Sequence, residues 1–182
     1  MSGDPETEDD VVVRVAREDD ADHAAAASAL IEEAAREFDM ALRPVEFLRG
    51  KIRSGRAAIA LAGGELVGFG YWSEWEGGRF VSHSGLVVRN DQRGRGLGRR
   101  LKLALFEASR RRFPDAILMS LTTSSEVKEL NLSLGFQPAS IDQLTTDPAF
   151  WESCRTCRNY HEAQRRGEQC CCDAMILFPR EA

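Results

Sequence analysis

The feature that most constrains the fold is a run of three alternating glycines, Gly94, Gly96 and Gly98, which follows one apolar segment and precedes another. Glycine adopts positive φ without strain and leaves the backbone bare, so consecutive N–H groups can point at an anion. A helix after the glycines would add the positive end of its dipole. The sequence therefore predicts a strand, a tight turn and a helix arranged around a bound phosphate.

An ordinary tight turn before a helix is the alternative, because a glycine triplet alone is a weak signal. Arg93 and Arg95 favour the anion site by adding positive charge at the turn. The run lacks the Gly-Lys-Ser/Thr ending of a nucleotide-triphosphate loop, and it lies in mid-chain rather than after the first strand of a dinucleotide-binding unit. These two common nucleotide sites are therefore disfavoured.

Length and charge limit the classes of protein. The chain has 182 residues and 43% hydrophobic content, which predicts one domain with an appendage. A net charge of -5 and a pI near 5.3 argue against binding to nucleic acid. The sequence contains neither a membrane-spanning apolar run nor a typical secretory signal, so we expect a cytoplasmic protein that binds no membrane. Residues 1–10 are acidic and are predicted to form a disordered leader.

Periodicity predicts alternating strands and helices. Strands are expected at 11–15, 57–62, 65–72, 79–88 and 116–121, and helices after residue 20, after Pro44, past the glycine turn from Leu97, and through Val127 to Leu134. In the third of these helices, apolar residues recur from Leu97 to Ala108 on one face. The remaining positions are basic and are expected to be mostly solvated: Arg99, Arg100, Lys102, Arg110, Arg111 and Arg112. The fold class is α/β.

The glycine run resembles the acyl-CoA signature of the GNAT superfamily of N-acetyltransferases. It matches this signature as Arg93-x-x-Gly96-x-Gly98, with Gln92 just ahead of it. The order of elements and the Gly135-Phe136 pair extend this resemblance over roughly residues 11–137. It implies a GNAT domain at 11–148, with a mixed, mostly antiparallel central sheet splayed between two parallel strands and flanked by helices. It also implies acetyl-CoA as co-substrate.

The same resemblance assigns residues to the binding of acetyl-CoA. The backbone of Leu86, Val87 and Val88 would bind the pantetheine arm, and one of its N–H groups would polarise the thioester carbonyl. The turn and the start of the helix would hold the pyrophosphate through Arg93, Gly94, Arg95, Gly96, Leu97, Gly98 and Arg99.

Three residues are candidates for proton transfer. Glu74 and His83 lie on or beside the central strands, where the family often keeps a base, although a half-buried structural histidine is equally expected. In strand alternation His83 faces one side of the sheet while Ser82 and Ser84 face the other. Asn131 occupies the position of the tyrosine that usually serves the family as general acid, and an amide cannot usefully donate a proton. Another acid, such as water or a threonine, or unassisted departure of the thiolate would then be required.

The acceptor is expected to be a small amine or an amino acid. Leu121-Thr122-Thr123 resembles a segment of bacterial N-acetylglutamate synthases, which points to glutamate and to amino-acid biosynthesis, with Arg43 as a candidate for the carboxylate. A homodimer is one of the oligomeric states that the sequence allows. The competing hypothesis is a CoA-binding fold with little turnover that acts as a zinc-stabilised interaction or sensor module.

All five cysteines lie in the segment 149–182. Cys154, Cys157, Cys170 and Cys172 have the spacing of a tetrahedral Zn²⁺ site, which would be structural because it leaves no open position. Such a site would fasten residues 150–160 and a final strand at 174–178 to the sheet edge. The segment resembles the tail of a bacterial acetyltransferase subgroup associated with arginine biosynthesis. Free thiols and redox sensing are the alternatives.

Overall fold

A computed structural model describes residues 10–180, and the expected leader therefore lies almost wholly outside the described residues. Within these residues, seven strands form one sheet in the order β1-β2-β3-β4-β5-β7-β6. The strands are β1 Val11–Val15, β2 Ala57–Ala62, β3 Glu65–Trp75, β4 Phe80–Val88, β5 Ile117–Thr122, β6 Gln137–Ala139 and β7 Asp173–Leu177. The helices are α1 Ala24–Ala34, α2 Val45–Arg53, α3 Leu97–Arg112, α4 Ser125–Ser133, α5 Pro148–Glu152 and α6 Tyr160–Arg165.

The sheet is antiparallel except for one parallel pair, β4 with β5. That pairing covers only three residues of each strand and ends at Ser82 and Met119. Both strands continue beyond this point, β4 to Val88 and β5 to Thr122. The predicted mixed sheet with two splayed parallel strands is thus confirmed, and the separation leaves an opening in the middle of the sheet.

A bulge in β4 accompanies the separation. Phe69 pairs with Val87 and Tyr71 pairs with Ser84, so β4 has one residue more than β3 across this interval. Gly85 lies in the bulge with a φ of 64°. A Cβ atom at this position would lie 2.6 Å from the Tyr71 ring. Both the backbone conformation and the close approach of the ring therefore require glycine.

Helices cover both faces of the sheet. On one face, α3 buries Leu97, Leu101 and Leu105 against the central strands, as its periodicity predicted. On the other face, α1 and α2 bury Ile31 and Leu48 with residues of β2 and β3. A third apolar cluster lies beneath the carboxyl-terminal segment and includes Phe80, Met119, Leu144, Phe150 and Ile176.

The last strand differs from its predicted place at the sheet edge. β7 lies between β5 and β6 and pairs antiparallel with both, so the short β6 is the edge strand. Its residues Ala174, Met175 and Ile176 are buried, which explains why the strand takes an interior position. No helix among residues 10–180 has the length and apolar character needed to cross a membrane.

The bulge gives a stability prediction. Gly85→Ala should lower the free energy of unfolding by about 2–4 kcal/mol, because it adds strain at positive φ and a clash with Tyr71. Gly55 is a matched control, since it has a φ of 68° but a Cβ atom added there would meet no neighbour within 4 Å. Gly55→Ala should cost only the backbone strain, about 1–2 kcal/mol. Equal losses for the two variants in urea unfolding would contradict the close approach of Tyr71.

Candidate active site

The opening between β4 and β5 continues into a cleft of about 610 Å³. Its walls come from β4, the glycine turn, the start of α3, the end of β5, the α1–α2 loop and the cysteine-containing segment. On β4, Ser82, His83 and Ser84 all line the cleft, although neighbouring residues of a strand face opposite sides of a sheet. The cleft therefore passes through the sheet, with one half on the α3 side and the other on the α1 side.

The glycine turn lies at the α3 half of the cleft. Gly94 and Gly96 have φ values of 77° and 75°, and Gly96 is the residue from which α3 starts. No side chain among residues 10–180 caps this helix, and the first intrahelical bond from its start runs from the Arg100 N–H to the Gly96 carbonyl. The first N–H groups of α3 thus remain open to a ligand at the positive end of the helix dipole. This arrangement suits an anion such as a pyrophosphate.

Most of the predicted donor-binding residues line the cleft. They are Leu86, Val87, Val88, Arg93, Gly94, Gly96, Leu97 and Gly98. Arg95 and Arg99 are not part of the wall: Arg95 donates to the Gln92 side chain at 2.5 Å, and Arg99 donates to Ser133 of α4 at 3.1 Å. Arg99 thus connects α3 with α4. Beyond Ser82, the backbone of β4 has no strand partner on its β5 side, so it can bond to an extended ligand.

His83 lies on the α3 side and is almost completely buried. Its Nε2 is 2.8 Å from the Ser109 hydroxyl, which itself donates to the Phe106 carbonyl, so Nε2 is the donor. Nδ1 therefore carries a lone pair, and it has no partner among the described residues. Burial, with the charges of Lys102 and Arg110, holds the pKa of His83 well below its ordinary value. The imidazole is consequently neutral at pH 7.

Lys102 is one of the basic positions of α3 that were expected to be mostly solvated, but it is buried. Its side chain is only 2% exposed, lines the cleft, and places Nζ 5.0 Å from the centroid of the Phe136 ring. Burial lowers the pKa of Lys102 to about 7. The sequence did carry a signal, because position 102 follows Leu101 and precedes Leu105 by less than one turn, at the border of the apolar stripe.

The other two catalytic candidates lie outside the cleft wall. The Glu74 carboxylate pairs with Arg56 at 2.5 Å, so a guanidinium already occupies it. Asn131 is fully buried between α4 and the sheet, and its amide nitrogen donates to the Ser120 hydroxyl at 3.1 Å. Its Oδ1 atom has no partner among the described residues. Of the three candidates, the cleft wall contains only His83.

Arg43 and Tyr71 line the half of the cleft on the α1 side. Arg43 Nε donates to the Tyr71 hydroxyl at 2.6 Å, and Nη1 donates to the carbonyls of Leu42 and Ser153 at 2.8 and 3.0 Å. Within residues 10–180 no carboxylate pairs with Arg43, and Nη2 makes no hydrogen bond. Burial is the main cause of a raised pKa at Tyr71, which therefore stays protonated. A fixed cation with free N–H groups is thus available to an anionic ligand.

The four cysteines predicted to bind zinc, Cys154, Cys157, Cys170 and Cys172, also line the cleft. Burial raises the pKa of Cys154 to about 11. The pKa of Cys170 is lowered to about 6, because its sulfur accepts from the Cys172 thiol and from backbone N–H groups, one of them at 3.3 Å. Within the described part of the chain, no three His, Cys, Asp or Glu side chains are arranged to hold a metal ion. The thiols come together, but they interact with one another rather than surrounding one point.

The cysteine-containing segment is fastened to the α1–α2 loop by polar contacts. Arg158 donates to the Asp39 carboxylate at 2.7 Å and to two backbone carbonyls after α1. Thr156 donates to the Leu42 carbonyl at 3.3 Å. Together with the bond from Arg43 to Ser153, these contacts make two distant parts of the sequence into one wall of the cleft.

Comparison with known proteins identifies the class. The model of the acetyltransferase (GNAT) family matches residues 22–133, which is more than half of the chain. The chain therefore belongs to the GNAT family of N-acetyltransferases. A search of curated proteins found no match.

Solved structures share the fold at low identity. The chain is similar to N-acetylglutamate synthase from Neisseria gonorrhoeae, determined with coenzyme A and N-acetyl-glutamate, with 21% identity and a TM-score of 0.65. That match covers 94% of this chain but 36% of the synthase, so the chain spans about a third of the length of that relative. Rv2747 from Mycobacterium tuberculosis, determined with CoA, matches at 20% identity and a TM-score of 0.65 over 92% of this chain and 98% of its own. YncA from Salmonella typhimurium, determined with acetyl-CoA, matches at 17% identity and a TM-score of 0.65. That match covers 95% of this chain and 96% of YncA.

The glycine turn gives a binding prediction. Gly96→Glu should weaken CoA binding at least about tenfold in calorimetry, because a carboxylate at the helix start repels phosphate and disturbs a backbone at positive φ. Gly64→Glu is the matched control: Gly64 has a φ of 81°, no neighbour within 4 Å, and a place in the β2–β3 turn. Its CoA affinity should equal that of the wild type. Equal affinities for wild type and Gly96→Glu would contradict the phosphate site.

Proposed function

We propose that this protein is an acetyl-CoA-dependent N-acetyltransferase that acts on a small amino acid, with glutamate as the leading acceptor, by direct attack of the amine on the thioester. Family membership supports the reaction class. The observation that carries the choice of acceptor is Arg43 in the cleft: among the described residues its guanidinium pairs with no carboxylate, and its Nη2 group makes no hydrogen bond. The substrate's carboxylate is the group that such a cation would bind.

The residues present fit acetyl-CoA. The uncapped start of α3 and the glycine turn suit its pyrophosphate, and the unpaired edge of β4 from Leu86 to Val88 suits the amides of its pantetheine arm. Bound acetyl-CoA would supply an activated acetyl group. An N–H group of this same strand segment would stabilise the oxyanion that forms on the thioester carbonyl.

The acceptor would approach from the α1 side. Arg43 would bind its carboxylate, and the rigid support of this guanidinium by Tyr71 and Ser153 would fix the position of the amine. His83 is neutral and has an unpaired Nδ1, so it is the candidate base of the cleft. Glutamate is favoured by the Leu121-Thr122-Thr123 segment, of which Leu121, Thr122 and Thr123 all line the cleft.

Arg43 provides the test of the acceptor. In a thiol-release assay with acetyl-CoA over amino acids, polyamines and peptide N-termini, we expect turnover with an α-amino acid. Arg43→Gln should raise KM for that acceptor at least about tenfold, because a charge-assisted contact from Nη2 is lost, and should leave KM for acetyl-CoA unchanged. Arg49→Gln, which removes a surface ion pair on α2, should change neither constant.

Two results would contradict this proposal. Equal KM values for wild type and Arg43→Gln would remove Arg43 from the acceptor site. Binding of acetyl-CoA without CoA release across the whole panel would instead favour the competing hypothesis of a CoA-binding sensor. The buried amide of Asn131, which lies where the family usually has a tyrosine acid, is the observation that supports that alternative.

We also propose that Cys154, Cys157, Cys170 and Cys172 bind a structural zinc ion. The donor set fits Zn²⁺, and the four thiols share one wall of the cleft, but as placed they do not form a metal site, so binding would require their side chains to rotate. Metal analysis of the purified protein should give close to one equivalent of zinc, and a chelator should lower the thermal stability. Zinc below about half an equivalent, with free thiols on titration, would contradict this proposal.

A further inference from the structure

Lys102 is a buried cation without a counter-ion. It lies in the second turn of α3 and is 2% exposed. In the part of the chain that the structure describes, it makes no ion pair and no hydrogen bond, and its ammonium group lies over the face of the Phe136 ring. Lysine is almost never buried without a partner, since removing its charge from water is costly. A leucine or methionine would fill this position at lower cost, so the ammonium group needs another explanation.

The groups around Lys102 leave a ligand in the cleft as the partner of its ammonium group. Among the titratable groups, His83 on β4 faces it, is neutral, and is itself affected by the charge of Lys102. Phe136, just after α4, offers it only an aromatic ring. Because the Lys102 side chain forms part of the cleft wall on the α3 side, a ligand in the opening between β4 and β5 is the remaining partner for its three N–H donors.

Three other candidates for a proton donor are each disfavoured. The Asn131 amide has no acidic proton and does not line the cleft. His83 has its donor nitrogen engaged with Ser109, and its free nitrogen is an acceptor. Tyr71 lies on the other side of the sheet, in contact with Arg43.

We propose that Lys102 is the general acid that protonates the CoA sulfur when the thioester is cleaved. This role rests on the proposed acetyl transfer. The amine nitrogen forms a bond to the carbonyl carbon, and collapse of the tetrahedral intermediate breaks the C–S bond, so that the electron pair goes to sulfur. The Lys102 ammonium then transfers one proton to the thiolate and becomes a neutral amine. The proton lost by the acceptor nitrogen passes to His83, the candidate base, and from there to water, and the cleft, open to solvent, lets Lys102 regain its own proton.

The titration of Lys102 agrees with this role. With a pKa lowered to about 7 by burial, Lys102 holds its proton below that pH and gives it up readily near neutrality, where a general acid is most effective. The lowered pKa gives a pH dependence. Lys102 is fully protonated well below pH 7 and loses its proton as the pH rises above 7. The contribution of Lys102 to turnover should therefore decline on the alkaline side.

The test uses bound CoA and needs no acceptor. The thiolate of CoA absorbs in the ultraviolet, so the ionisation of the bound thiol can be followed against pH. The Lys102 ammonium and the bound thiol titrate as a coupled pair, so thiolate should begin to appear at lower pH in the wild type than in Lys102→Met, which has no cation at this position. Lys51→Met is the matched control, because Lys51 is also largely buried, with its ammonium bonded to Ser73 at 2.6 Å, but lies outside the cleft wall. Its thiol titration curve should match that of the wild type.

Two outcomes would overturn the role of Lys102. Superimposable thiol titration curves for wild type and Lys102→Met would show that the ammonium does not reach the sulfur. A loss of affinity for desulfo-CoA in Lys102→Met would show that Lys102 binds the pantetheine arm instead. Near-ultraviolet circular dichroism establishes that the variant is folded. Failure of the wild type to bind CoA at all would contradict the proposed function, whereas CoA binding with unchanged thiol ionisation would contradict only the role of Lys102.

Discussion

The separation of β4 from β5 is the constraint on which the rest of the structure depends. Parallel strands normally continue their hydrogen bonds to their ends, but here pairing stops after Ser82 and Met119. The bulge at Gly85 bends β4 away, and Tyr71 packs where a side chain at position 85 would lie. The unpaired backbone that results would be costly in a closed core, so it must face solvent or a ligand. The fold thus creates its cleft by leaving a sheet incomplete.

The two halves of the cleft differ in how they hold charge. On the α3 side, the positive potential comes from backbone N–H groups at the helix start and from one buried ammonium, Lys102. On the α1 side it comes from Arg43, whose guanidinium is held by Tyr71 and by the carbonyl of Ser153. This division matches a reaction in which one substrate carries phosphates and the other a carboxylate. It also separates the proton donor from the group that would orient the amine.

Several features could be predicted because they depend on local chemistry. The glycine turn requires positive φ at Gly94 and Gly96, and the apolar stripe of α3 follows from helical periodicity. Other features could not be predicted in this way. Lys102 lies at the border of that stripe, and only its packing against Phe136 and β4 decides that it is buried. The partner of the Glu74 carboxylate could not be predicted either, since its pairing with Arg56 depends on the register of β2 and β3.

The sequence by itself determined the family, the glycine turn and the order of most strands and helices, because each of these is specified by neighbouring residues along the chain. The acceptor side was decided by tertiary structure. Arg43, Tyr71 and the cysteine-containing segment are far apart in the sequence, and hydrogen bonds such as those from Arg158 to the end of α1 bring them together. The interior position of β7 has the same origin, since burial of Ala174, Met175 and Ile176 outweighs any local preference for an edge. No spacing of residues along the sequence indicates long-range packing of this kind.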